Sequence, residues 1–465
     1  MSAAGITRVL KTVPVTGPGA VSCTPHAGAP HESAYLRQRH APSILLFAVA
    51  TLAAAAGHAE DYGFDVSQFE KKSFELGGYA EAKAEYLALE EDSAGYAINF
   101  FDDDPGENTD RYTATLELNG TYRRDPLRFD FLAHTESVND FRDTEAEARL
   151  YEGLLTWRPA TALAAELGKK AVKWGKGYAW NPVAFLERPK DPNDPVLSRE
   201  GFVIAGADVI KSFAGPLKTV AFTPLVLPVS SSLNDDFGQP NHRNPAAKLY
   251  LLYRDTDIDF LYLDEGSRSR RFGFDFARNL ATNLEIHGEW ARIADFQRKR
   301  LGPGDTLVTE EEDVTSYLLG LRYLSARETT YILEYYHNGT GYRRRELERF
   351  YDRVLTAAAT GDTALLATLA AAAKETYLRP NPGRRYLYLR INQKEPFDII
   401  YSSAAATVIK NLDDESYLIT PELLYTGFND LELRLRLTRN VGDALSEYGE
   451  KPNRYKWELR LRYYF

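Results

Sequence analysis

The last eleven residues, 455–465, read YKWELRLRYYF. Apolar and charged side chains alternate one for one, and the sequence stops on Phe465. Successive side chains of a β-strand point to opposite faces, so a period of two predicts a strand with two unlike faces. The same period recurs along the chain. FELGGYAEAKAEY sets Leu76, Ala80, Ala82, Ala84 and Tyr86 against Glu75, Glu81, Lys83 and Glu85. RYTATLELNGTY, LRFDFLAH and DLELRLRLTR repeat it. Few folds accept this pattern so many times over, because each strand must have its apolar face covered and its polar face wet.

Candidate strands fall at 74–89, 111–122, 127–137, 146–157, 162–173, 202–213, 218–231, 246–254, 258–264, 271–278, 283–296, 314–324, 329–338, 385–393, 398–410, 416–426, 431–439 and 455–465. Connections after even-numbered strands are short turns, among them RRDP, RPAT, AGPL and GFND. Those after odd-numbered strands are mostly long and polar, for example 90–110, 174–201, 297–313 and 339–384. Hydrocarbon cannot satisfy the unpaired edge of an open sheet, whereas closing the sheet removes the edge. The expected fold is therefore all-β. It is a transmembrane antiparallel up-and-down β-barrel of about 18 strands, with short periplasmic turns, long extracellular loops and one helical hairpin loop. Tyr112, Tyr122, Trp157, Tyr323, Trp457 and Tyr463 suit the interfacial girdles of such a barrel. A secreted soluble β-protein would also alternate, but it does not explain the asymmetry of the connections.

The net charge of -10 speaks against a nucleic-acid binder, which needs excess cations to neutralise phosphates. Residues 44–56, ILLFAVATLAAAA, follow Arg37 and Arg39 and precede small residues ending at Ala59. This predicts a secretory signal peptide cleaved after Ala59. The upstream extension reads as a misplaced start, with translation beginning near Leu36. The chain then divides into 1–59 (signal and extension), a periplasmic segment 60–73, and a barrel over 74–465. The only cysteine, Cys23, is lost with the signal, so no disulfide, thiolate metal site or cysteine nucleophile is expected. No later apolar run is long enough for a membrane helix.

The terminal YKWELRLRYYF resembles the closing strand of outer-membrane porins, whose last residue is usually phenylalanine and is read by the barrel-assembly machinery. The whole of 74–465 is similar in architecture to the eighteen-stranded porins and polysaccharide exporters, the alginate export family among them. GKKAVKWGKGYAWNPVAF and EYYHNGTGYRRRELERFY resemble motifs of large proteobacterial barrel families. The resemblance implies the outer membrane of a Gram-negative bacterium, with lipid and lipopolysaccharide around the barrel. It also implies small hydrophilic or saccharide cargo, and either a homo-oligomer or a monomer. A porin-like channel is the first expectation; a plugged barrel serving as scaffold, or as part of a surface-polymer assembly, is the alternative.

Three regions could carry function. Loop 174–201 holds Pro182, Pro189, Pro192 and Pro195, and proline stiffens a loop by fixing φ. Lys173, Trp174, Lys176, Tyr178, Trp180, Glu187, Arg188, Lys190, Asp191 and Asp194 are its candidate constriction residues, with the aromatics available to stack on sugars. A surface cap is the other reading of this loop. Its acids lack the D-x-D-x-D-G spacing of a calcium loop, and no metal or other cofactor is expected. Segment 343–378 has apolar residues at helical spacing, broken at Gly361 with Asp362 as a cap. This predicts a helical hairpin that packs on itself, closes as a lid, plugs the lumen or meets a partner. Alternation turns Arg128, Asp130, Glu136, Arg322, Arg390, Arg434, Arg436, Lys456, Arg460 and Arg462 toward the lumen. Pairing of the last strand with the first would set Lys456, Arg460 and Arg462 beside Glu75, Glu81 and Glu85. His134, His242, His287 and His337 are scattered, and H-E-x-x-H and G-x-S-x-G are absent, so no catalytic residue is assigned.

Overall fold

A computed structural model describes residues 73–374 and 376–465. The expected signal peptide, and 60–72 of the segment after it, lie outside the described residues. Eighteen strands form one sheet. They are β1 (Phe74–Leu89), β2 (Asn108–Arg124), β3 (Leu127–Asn139), β4 (Thr144–Ala160), β5 (Leu163–Lys170) and β6 (Phe202–Ser212). Next come β7 (Leu217–Val229), β8 (His242–Tyr253), β9 (Thr256–Leu263), β10 (Arg271–Ala281), β11 (Leu284–Leu301) and β12 (Leu307–Leu324). The last six are β13 (Thr329–His337), β14 (Arg385–Lys394), β15 (Ser402–Asn411), β16 (Tyr417–Phe428), β17 (Leu431–Val441) and β18 (Asn453–Tyr464). Each strand pairs antiparallel with its chain neighbours, and β1 pairs with β18, so the sheet has no free edge.

The closing seam carries the charges that alternation placed there, with one change. Glu81 lies opposite Arg462, and Arg462 Nη2 reaches its carboxylate at 2.6 Å. Lys456 Nζ donates to Glu85 at 2.9 Å. Glu75 does not join them. Residue 79 is already opposite Tyr464, so β18 ends before it reaches Glu75, which pairs instead with Arg123 on β2 at 3.0 Å. Outward positions bear exposed apolar side chains, such as Leu116, Leu155, Phe222, Leu319, Leu435 and Leu459. Tyr112, Tyr122, Trp157, Tyr323 and Trp457 are exposed as a girdle requires, and Tyr463 is half-buried.

Two expected boundaries move. Segment 297–313 is not a loop: β11 and β12 stay paired out to Leu301 and Leu307, leaving 302–306 as the connection. The strand expected from 398 begins at Ser402, because Glu395, Phe397, Asp398 and Tyr401 adopt positive φ in a wider turn. The helical hairpin is present as α2 (Arg344–Thr360) and α3 (Thr363–Ala373). Gly361 ends α2 at φ 68, and the Asp362 side chain accepts the Leu365 N–H at 3.0 Å, capping α3. Leu347, Phe350 and Val354 of α2 meet Leu366 and Leu369 of α3. Ala94 and Ile98 of a short helix α1 (Ala94–Asn99) join the same core, so the hairpin packs on itself and on a neighbouring loop.

Inside the barrel, alternation misleads over one sector. Leu225, Leu227, Leu261, Leu263 and Ile293 of β7, β9 and β11 are inward and buried. Four of them, with Val183, Phe185 and Leu186 of the loop after β5, form a dry core. The stretch LVLPV at the end of β7 is apolar on both faces, as a strand buried on both sides requires.

Candidate functional site

The connection from residue 171 to 201 crosses the lumen and is fastened to widely separated parts of the wall. Its first anchor is Glu289 on β11. The N–H groups of Lys176 and Gly177 both donate to Glu289 Oε1 at 2.6 Å, and Asn181 Nδ2 donates at 2.9 Å. This approach needs glycine. Gly175 has φ +97, and a Cβ there would sit 2.7 Å from the carboxylate; one at Gly177 would meet Trp180 O at 2.0 Å. The second anchor is Glu334 on β13, which accepts from Tyr178 N–H at 2.5 Å and Ala179 N–H at 2.9 Å. His287 Nε2 lies 2.9 Å from the same carboxylate, so this buried histidine is tied to the wall through one ring nitrogen. Lys176 Nζ reaches Asp259 on β9 at 2.9 Å and Asp275 on β10 at 3.9 Å.

The far end of the loop is held by charge. Asp194 Oδ2 lies 2.9 Å from Arg436, 3.2 Å from Arg460 and 3.8 Å from Arg434, on β17 and β18. Burial alone would push the Asp194 carboxyl up; Arg436 and Arg460 hold it below the usual carboxylate range. Ser198 Oγ then donates to Glu117 on β2 at 3.3 Å. Between these two pins Val196 is 81% exposed, which places open water beside the loop.

Among the described residues, the expected constriction residues divide into fasteners and one free cation. Lys176 and Asp194 bind the wall as described. Glu187 accepts from the Trp174 N–H and pairs with Arg199 at 3.0 Å. Arg188 donates to Glu200 O and Asp236, and Lys190 to Gly177 O. Asp191 shapes a turn by accepting the Asn193 N–H. The two tryptophans are not available for stacking on cargo. Trp174 lies in the dry core, and Trp180 is stacked on Tyr336 at 5.1 Å. Trp180 Nε1 also donates to Asn381, whose Nδ2 donates to Tyr448 OH, tying the loop to two outer loops. Tyr178 OH donates to Glu285. Lys173 is exposed and lines a cavity.

That cavity, about 750 Å³, lies at the short-turn end between β1–β8 and the loop. Arg128 and Asp130 line it and pair with each other at 2.7 Å. Glu152, Lys173 and Lys248 also line it, and none of the three has an ion-pair partner among the described residues. Arg436 and Arg460 face inward but are buried, and Arg434 is half-buried, in a network with Glu422, Glu432 and Glu458, so they fill the barrel. Arg390 joins that network through Glu422 at 3.0 Å. Arg322 lies 4.0 Å from Glu285, and Glu136 stays half-buried on β3. Loop 171–201 thus gathers Asp194 with three of the expected lumen arginines and leaves Arg128 and Asp130 in the cavity. Glu334, Asp259 and Asp275 were not singled out from the sequence. A lone acid on an otherwise apolar-aromatic face, as in YILEYYH, is the signal that could have found Glu334.

A closed antiparallel barrel with an apolar exterior and an interior bridged by polar groups defines the transmembrane β-barrel class. No protein-family model matches the chain, and no curated protein matches it. Among solved structures, a variant of Rh. blastica porin aligns over 84% of this chain and 100% of its own, at 10% identity and TM-score 0.42. A triple mutant of the same Rhodopseudomonas blastica porin gives 11% and 0.41 over the same shares. The class rests on the strand pairing of this chain.

Proposed function

We propose that the protein is a channel of the outer membrane of a Gram-negative bacterium, with the short turns in the periplasm. It lets small hydrophilic solutes or short oligosaccharides diffuse past loop 171–201. The observation that carries this is the asymmetry of the lumen. The loop is fastened to β9–β13 and to β17–β18, yet a cavity of about 750 Å³ remains against β1–β8. Lys173 faces that cavity from the loop, so a solute passing the loop meets its ammonium beside a mixed wall of Arg128, Asp130, Glu152 and Lys248.

Planar-bilayer recording tests this. Wild-type protein should open discrete channels, and Lys173→Glu should move the reversal potential toward cations without unfolding the barrel. No openings in the wild type, and none after deletion of 343–378, would refute a channel. A second reading, a closed barrel serving as a scaffold in a surface-polymer assembly, draws on the dry core and ion-pair network that fill much of the interior. Silent bilayers together with a stoichiometric co-purifying partner would support it.

A further inference from the structure

The arginine-rich start of α2 is left unexplained by a channel. Arg300, Arg349 and Arg353 line a cavity of about 460 Å³ between α2 and the tip of the β11–β12 hairpin. Two acids line it as well, and both are engaged. Asp305 is held in a two-point pair by Arg353, Nε to Oδ1 at 2.8 Å and Nη2 to Oδ2 at 2.6 Å. Glu346 accepts the Arg343 N–H at 2.7 Å through one oxygen and lies 3.7 Å from Arg300 through the other. Arg300 is also paired with Glu310. Arg349 is different: it is exposed, and it has neither a hydrogen bond nor an ion pair among the described residues.

The base beneath is rigid. Phe350 and Tyr377 stack at 4.3 Å with 12° between planes, and Tyr377 OH accepts the Leu301 N–H at 2.7 Å. Helix, hairpin tip and Tyr377 are therefore fixed relative to one another, and the unpaired guanidinium stands at the edge of a preformed cleft. Pockets of about 300–1,000 Å³ hold small molecules, and this one has room for one or two sugar rings. A planar guanidinium forms paired hydrogen bonds with a phosphate or carboxylate, so the missing partner of Arg349 is an anion. We propose that this cleft binds a sugar bearing a phosphate or carboxylate, with Arg349 taking the anionic group and Arg300 flanking it.

The experiment uses the full chain in detergent micelles, with glucose 1-phosphate as the probe and glucose as the neutral control. Glucose 1-phosphate should bind and glucose should not, with affinity falling as salt rises. Arg349→Glu should abolish binding and Arg349→Ala should weaken it about tenfold. Arg349 is exposed, so neither change disturbs packing, and heat-modifiable gel migration verifies the barrel. The source of the anion is separated with Pro303→Cys, an exposed position of the same cleft that leaves Arg349 in place, labelled by a thiol reagent in lipid nanodiscs. Slower labelling when lipopolysaccharide is present identifies a membrane-borne sugar. Slower labelling with glucose 1-phosphate alone identifies a soluble one. Equal binding by wild type and Arg349→Glu, or labelling slowed by neither ligand, overturns the proposal while leaving the channel reading standing.

Discussion

Asp194 is the point where one substitution should loosen the lumen without damaging its wall. The carboxylate is buried and sits among Arg434, Arg436 and Arg460. Asp194→Asn keeps the shape and removes the charge. Breaking a buried pair costs about 3–5 kcal/mol when the remaining charge is stranded. Here the arginines keep other partners: Arg436 holds Glu422 at 2.5 Å, Arg460 holds Glu458 at 2.8 Å and Arg434 holds Glu432 at 2.9 Å. The loss therefore belongs at the low end, about 3 kcal/mol, or roughly a 150-fold shift toward the unpinned loop. The anchors at Glu289, Glu334 and Lys176 persist, so only the stretch near 191–198 should detach. Bilayer recordings should show larger and noisier openings, and trypsin should cut faster after Lys190 or Arg199. Asp191→Asn is the control, because Asp191 is exposed and, among the described residues, bonds only within its own turn. If Asp194→Asn matches wild type and the control in both conductance noise and cleavage rate, the charge pin does not position the loop.

Other outcomes follow from the same contacts. At the seam, Glu81→Lys with Glu85→Lys should impair barrel closure, because both face cations of β18, whereas Glu75→Lys should not; gel migration before and after heating separates them. Burial pushes the Glu447 carboxyl up to about 7, above its usual 4.5, in the connection between β17 and β18. A carboxyl raised on folding favours the folded state when protonated. Its contribution is full below about 4.5 and is lost as pH rises through 7, a swing on the order of 3 kcal/mol. Hydrogen exchange over 442–449, corrected for intrinsic rates, should rise between pH 5 and pH 8, and Glu447→Gln should flatten that rise; the same slope in both proteins would count against it. Trp180→Ala removes the stack on Tyr336 and the bond to Asn381, and should cost about 3–5 kcal/mol. Tryptic cutting at Arg343–Arg345 should then accelerate, and an unchanged rate would show that loop and hairpin are not coupled through this side chain.

Much of the barrel was legible because its rules are local. Alternation located all eighteen strands, and Gly361 and Asp362 marked the break between α2 and α3. Two cation–glutamate pairs of the seam followed from strand order alone. Glu75 failed because register depends on where β18 stops, which period two does not specify. Segment 297–313 was misread because its charges look like a loop, although long paired strands can stand clear of a membrane with both faces wet. The site was less legible. The loop was found from its prolines and mixed charges, but its tryptophans were assigned to cargo when they belong to packing.

The sequence by itself determined that the chain closes into a barrel, which residues face outward, and which loop is stiff enough to matter. Those properties depend on the order of side chains within a few residues. Only the tertiary structure decided what fills the lumen. The carboxylate of Glu289 meets the backbone of Gly177 from 112 positions away, and Asp194 meets Arg460 from 266. An inward-facing side chain looks the same in sequence whether it meets water, a guanidinium or a phenylalanine. The chain that crosses the barrel makes that choice, because its apolar residues pack on β7, β9 and β11 while a cavity remains at the short-turn end against β1–β8.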